Sequence, residues 1–131
     1  VDFLEQLPST EASEDGPKAD AETVFPIAAL IRPGEWTTYG DISSAATGRS
    51  SAAMAIGAMA RSMSDFPNPH RILNLQGQIP GAWRSDDGKG PEECRRRLEA
   101  EGVTFTETGT ASSDNRLPLE ELIIRVVGSD A

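Results

Sequence analysis

The sequence predicts a mainly α domain with a small β component, organised around a helix-turn-helix. Three observations carry this expectation. A short helical segment, a turn containing Gly48 and a longer helical segment follow one another between Thr38 and Met63. A further helix signal lies downstream, with Pro91 at its first position and Gly102 closing it. Extended signals are confined to Arg71-Ile72-Leu73 and to the alternating Val103-Thr104-Phe105-Thr106.

Taken in order, residues 1–20 hold two prolines and a Ser/Glu/Asp-rich centre, which predicts a largely disordered acidic arm. Phe3, Leu4 and Leu7 can form a short anchoring turn within it. The domain proper is expected over residues 21–128. Asp20 or Thr23 caps a first helix reaching about Ile31, with Val24, Ile27, Ala28 and Ile31 at i, i+3, i+4, i+7 and Pro33-Gly34 as its stop. Proline suits only a first turn, so Pro26 places the start of that helix near Val24.

Thr37-Thr38 caps the next helix, about Tyr39 to Ala46, with Asp41 as the acidic partner of a capping box. Ser50 or Ser51 caps a third helix running to about Met63. On a wheel advancing about 100° per residue, Ala52, Ile56, Met59 and Met63 share one side, and Met54, Ala58 and Arg61 share the other. The first set is the expected core stripe. The second is an outward face with one apolar finger, one small residue and one base. Gly57 and the many alanines make the helix thin, which suits either tight helix packing or close approach of a ligand.

Pro67 and Pro69 then interrupt any helix, and Arg71-Ile72-Leu73 leads to a turn at Gln76-Gly77. Gly81 to Gly90 reads as a loop holding Trp83. After the helix from Pro91 to Ala100 and the strand at Val103–Thr106, residues 108–115 form a polar loop. Leu117 to Val127 is a final helix with Leu119, Leu122, Ile123 and Val126 at helical spacing. No repeat of 20–50 residues is visible.

Composition bounds the function. The 131 residues allow one domain, and the 37% apolar and 5% aromatic content predicts a small aliphatic core. No run approaches the roughly 18 apolar residues of a membrane span, and the acidic start is not a signal peptide. The chain opens on Val1 and not Met, as expected of a piece of a longer chain. One cysteine, Cys94, excludes an intrachain disulfide framework and implies a cytoplasmic setting. The net charge of −9 argues against nucleic acid, but it is uneven. Residues 1–31 carry −6, residues 98–131 carry −5, and residues 32–97 carry +2. Only the middle of the chain permits a polyanion.

Catalytic motifs fare poorly. There is no phosphate-binding glycine loop and no Gly-x-Ser-x-Gly. His70 is the single histidine, so a metal site with two imidazoles is impossible, and no metal or cofactor is expected. Asp86-Asp87 and Glu92-Glu93 are adjacent acids that solvate a loop and a helix start. Cys94 sits among charged residues on a helix and is expected to be structural, although a Cys94–His70 pair remains open. Arg95-Arg96-Arg97 is balanced by nearby acids and reads as a solvated helix face.

Four motifs in order now carry a resemblance. Phe25 to Ile42 contains Pro33-Gly34 followed by Thr38-Tyr39-Gly40-Asp41-Ile42, and it resembles the start of the DNA-binding domain of O6-alkylguanine-DNA alkyltransferases. Ala52 to Met59 is similar to the recognition helix of that family. Asn68-Pro69-His70-Arg71-Ile72-Leu73, with Gly77, stands where the family has Pro-Cys-His-Arg-Val. Cys94 to Phe105 is similar to the family's Leu-x-x-Glu-Gly-Val ending. The resemblance covers residues 24–105 and implies a winged helix-turn-helix of the alkyltransferase DNA-binding type.

The departures shape what it implies. Pro69 occupies the position of the nucleophilic cysteine, so no alkyl transfer to that position is possible and no enzyme is expected. This points to the alkyltransferase-like proteins, which bind alkylated guanine without repairing it, although those usually carry Trp or Ala before His-Arg. Met54 stands where the family places an arginine in the base stack. An unbranched apolar side chain can wedge there instead, or can mark a domain that no longer flips bases. By resemblance, Thr38, Tyr39, Ser51, Ala53, Met54, Ala58 and Arg61 contact DNA, and Tyr39, Asn68, Pro69, His70 and Trp83 form a base pocket. Arg71 braces the loop. The implied partner is double-stranded DNA, with modified guanine as target, together with a protein partner in repair or restriction; a bacterial cell would place it on the nucleoid. Two alternatives stand beside this: a protein-interaction module on the same scaffold, and the targeting domain of a larger nuclease or repair enzyme.

Overall fold

A computed structural model describes residues 19–85 and 87–129. The anticipated acidic arm lies, up to residue 18, outside the described residues. The fold is mainly α with a small β component, as expected. Helix α1 spans Ala21–Ala28, starting earlier and ending earlier than its sequence spacing predicts. Asp20 sets the start by accepting from the Thr23 backbone N–H at 3.0 Å. Pro26 is thereby carried inside the helix. Beyond Ala28 the chain tightens into three-residue turns, with Leu30 N bonded to Ile27 O and Ile31 N to Ala28 O. All four expected core positions, Val24, Ile27, Ala28 and Ile31, are buried.

A two-residue strand, β1 (Thr37–Thr38), feeds directly into α2 (Tyr39–Thr47). Thr38 Oγ1 accepts from Asp41 N at 3.0 Å. The Asp41 carboxylate departs from the capping box: it pairs with Arg116 at 2.9 Å. Gly48, with φ of 82°, ends α2 in the left-handed conformation that glycine adopts cheaply. A 3-10 turn (Ser50–Ala52) then leads into α3 (Ala53–Ser62). Neither Ser50 nor Ser51 caps α3. Fully buried Ser43, on α2, accepts from Ala52 N at 3.1 Å and donates to Arg49 O. The start of the second helix of the motif is therefore fixed from the first.

Strand β2 (Ile72–Leu73) pairs in parallel with β1, Thr37 opposite Ile72 and Thr38 opposite Leu73. Among the described residues Val103–Thr106 joins no sheet and contributes a single bridge, Phe105 to Ala111. Its alternation is genuine, with Val103 buried and Thr104 exposed, but it reflects half-burial against a loop. Helix α4 spans Pro91–Ala100 as expected. Helix α5 is Leu119–Ser129, later than the expected start at Leu117, because Leu117 N is bonded to Trp36 O and Pro118 follows.

Two cores result. The first gathers α1, α2, α3 and α5 around Val24, Ile31, Ile42, Ile56, Ile72 and Leu122. The second packs α4 against Trp36, Leu73, Trp83 and Val103, with Cys94 and Leu98 at its centre. Successive strand residues face opposite sides, so Ile72 enters the first core and Leu73 the second. Two residues thus stitch the halves together. Among the described residues no helix is long and apolar enough to cross a membrane.

Candidate nucleic-acid interface

The thin helix α3 carries the expected asymmetry. Ile56 is fully buried, Ala52 and Met59 pack against the first core, and Met54 is 88% exposed on the opposite side. Met63, expected in the core stripe, lies past the helix end and is partly exposed. Gly57 is buried between neighbours on both helices: a methyl group there would meet Arg61 Nη1 at 3.4 Å and the Tyr39 ring at 3.8 Å, both ordinary contacts.

Beside α3 a cleft of about 530 Å³ opens, lined from α2 by Tyr39 and from α3 by Ala53, Met54, Gly57 and Arg61. Strand β2 and the segment after it add Leu73, Asn74, Leu75 and Pro80. The interior is predominantly apolar. Burial pushes the Tyr39 phenol up to about 12, so it stays protonated and can donate. Its hydroxyl makes no hydrogen bond among the described residues. Arg61, in the lining, and Arg49, which precedes the lining residue Ser50, form no ion pair among the described residues, whereas the carboxylate in the lining, Asp41, is offset by Arg116. Unspent positive charge at an apolar cleft suits a polyanion carrying flat apolar groups.

The turn before β2 is built differently. Asn68 adopts the left-handed conformation (φ 50°), which asparagine tolerates. Its Nδ2 donates to Ala28 O at 3.0 Å, and Arg71 Nη1 donates to Ile31 O at 2.9 Å, closing the end of α1. Arg71 also grips Glu101 through two bonds of 3.0 and 2.7 Å, and His70 Nε2 lies 2.9 Å from the same carboxylate. Burial alone would raise the Glu101 carboxyl, but hydrogen bonds from Arg71 and His70 prevail and hold it at about 2. Burial lowers His70, which favours the neutral ring donating to Glu101. Trp83 is buried and donates to Pro69 O at 3.3 Å.

Cys94 is fully buried, and burial drives its thiol up to about 12. It donates to the His70 backbone carbonyl at 3.4 Å, not to the ring, so the two do not form a nucleophile pair. On α4, Glu93 is held at about 2 by Arg96 and Arg97, and Arg95 pairs with Glu99, so all three arginines are bound by their own helix.

The structure therefore brings Thr38, Tyr39, Ala53, Met54 and Arg61 to one cleft. Ser51 and Ala58 are exposed on the same motif but do not line it. Asn68, Pro69, His70 and Trp83 form a separate braced unit outside the lining. Leu75 and Pro80, which do line it, were not among the expected residues. The available signal was an apolar residue placed inside the polar turn Asn74-Leu75-Gln76-Gly77.

Fold and cleft together define a small helix-turn-helix domain with an apolar recess beside its second helix. Residues 20–103 match the family model for the 6-O-methylguanine DNA methyltransferase DNA-binding domain, and the chain belongs to that family. It is 33% identical over 111 residues to the DNA base-flipping protein of Escherichia coli (strain K12), covering 82% of this chain and 80% of that one, with equal identity to its Shigella flexneri counterpart. Among solved structures it is similar to S. pombe Atl1 in complex with damaged DNA containing O6-carboxymethylguanine (27% identity, TM-score 0.52). It is also similar to S. pombe ATL in complex with DNA (26% identity, TM-score 0.54). Each match covers 78% of this chain and 91% of the other.

Proposed function

We propose that this chain is a non-catalytic DNA-binding domain that senses damaged bases by holding an extruded nucleotide beside α3. The observation that carries the reading is the cleft: apolar within, with the Tyr39 hydroxyl and Arg61 at its lining, neither of them paired among the described residues. Helix α3 enters the minor groove with Met54 foremost, and Tyr39 and Arg61 meet phosphates. Extruding a base costs a few kcal/mol, least for a damaged one, so damage sensing follows from the cost itself. Membership in the family and the likeness to a base-flipping protein and to Atl1 on damaged DNA support this use.

The domain acts without alkyl transfer. Pro69 offers no thiol where the resemblance puts the nucleophile, and the single cysteine is sealed and protonated. Modified guanine is the proposed target.

The test is binding to duplexes with and without O6-methylguanine over a range of salt. Tighter binding to the modified duplex, weakening as salt rises, is expected. Absence of binding at low salt, or indifference to salt, would remove the reading.

A further inference from the structure

Leu75 is 72% exposed, yet it is not on a loose loop. It sits in a turn closed by Gly77 N to Asn74 O at 2.8 Å and Asn74 N to Gln78 O at 2.9 Å. Gly77 (φ 83°) is pressed into the second core, so that a methyl group there would come within 3.2 Å of the Trp36 ring and 3.1 Å of Ala111 O. The turn is thus firmly founded and holds an apolar side chain out toward water at the mouth of the cleft, where an occupant would bury it.

We infer that Leu75 is a second DNA-contacting finger, acting from the turn after β2 while Met54 acts from α3, and that the two grip the extruded nucleotide from different elements. The inference rests on the DNA-binding reading above and extends it to a residue outside the helix-turn-helix. The occupant follows from the surroundings. Both exposed apolar side chains line one cleft, and Arg61 in its lining, which has no ion pair among the described residues, complements phosphates flanking a base. Asp41, the acid in the lining, is neutralised by Arg116. An apolar lip is indifferent to undistorted duplex, whose bases remain stacked. It contributes only once a base leaves the stack, so Leu75 governs discrimination and not general affinity.

The experiment uses the full chain and duplexes carrying O6-methylguanine, or 2-aminopurine at the same site as a fluorescent report of unstacking. Wild type should brighten 2-aminopurine and prefer the modified duplex. Leu75→Ser should lower affinity for the modified duplex about tenfold, leave affinity for the unmodified duplex within about twofold, and abolish most of the brightening. Leu75→Met should retain both. Because the side chain is exposed, neither change threatens folding. Unaltered preference and brightening in Leu75→Ser would overturn the inference, as would equal losses in Leu75→Met. DNA binding by wild type without brightening would overturn it while leaving the DNA-binding reading standing; no DNA binding at all would remove both.

Discussion

The cleft beside α3 and the Asn68–Arg71 turn both carry motif residues, but they spend them in opposite ways. In the turn, Asn68, His70 and Arg71 each have an internal partner, and even the Pro69 carbonyl is taken by Trp83. In the cleft, the Tyr39 hydroxyl and the Arg61 guanidinium have no partner among the described residues, and Met54 and Leu75 are exposed. A side chain already satisfied by the fold is a brace. One left unsatisfied at a concave surface is available to a ligand. By this contrast His70 and Arg71 hold the scaffold, whatever chemistry their motif serves where a cysteine precedes them.

The largest effect should come from breaking the brace. Glu101→Ala leaves the largely buried Arg71 and His70 without their carboxylate and should cost about 3 kcal/mol of stability by denaturant unfolding. The same group sets an acid limit. The Glu101 carboxyl, about 2 in the fold, is more acidic than in the unfolded chain. Its stabilisation is therefore complete above its ordinary value of 4.5 and is lost as pH falls toward 2. His70 is shifted down, so the unfolded chain takes up its proton first, and acidification below 6.5 costs stability in the same direction. Glu101→Gln should flatten the lower of these two windows in pH-dependent melting.

Changes in the cleft should do the reverse, sparing stability and altering binding. Tyr39→Phe should weaken DNA affinity about three- to tenfold at low salt with melting unchanged. Arg61→Ala should reduce the slope of log affinity against log salt by about one. If Tyr39→Phe destabilises the fold as much as it weakens binding, the contrast between brace and site fails.

The smallest effect is expected from the acidic start. Deleting residues 1–18, which leaves the Asp20 cap intact, should raise DNA affinity a few-fold at low salt and have no effect at high salt, if the arm competes for Arg49 and Arg61. Equal affinities at low salt would discard that competition.

Much of the fold was legible because local chemistry decides it. Pro91 and Gly102 bracket α4, and Thr38 and Gly48 bracket α2. The start of α3 was not, because its donor is satisfied by Ser43, nine residues earlier on another helix. Nor was the extent of α1, where a good cap at Asp20 outweighs the disfavour of an internal Pro26. For the site, the outward set Met54 and Arg61 came directly from helical periodicity. The residues after β2 did not, since a turn has no period, and only the packing of Gly77 on Trp36 reveals that Leu75 is held in place.

Cys94 gives the molecule a built-in clock. The only thiol in the chain lies at the centre of the second core, so a water-soluble thiol reagent can react only during the moments when that core opens. Its labelling rate therefore counts openings of one half of the protein, with nothing added to the sequence. Leu73 belongs to that core and also lines the cleft. Filling the cleft from outside should slow the clock, so that occupancy on one side of a two-residue strand is timed by chemistry buried behind it.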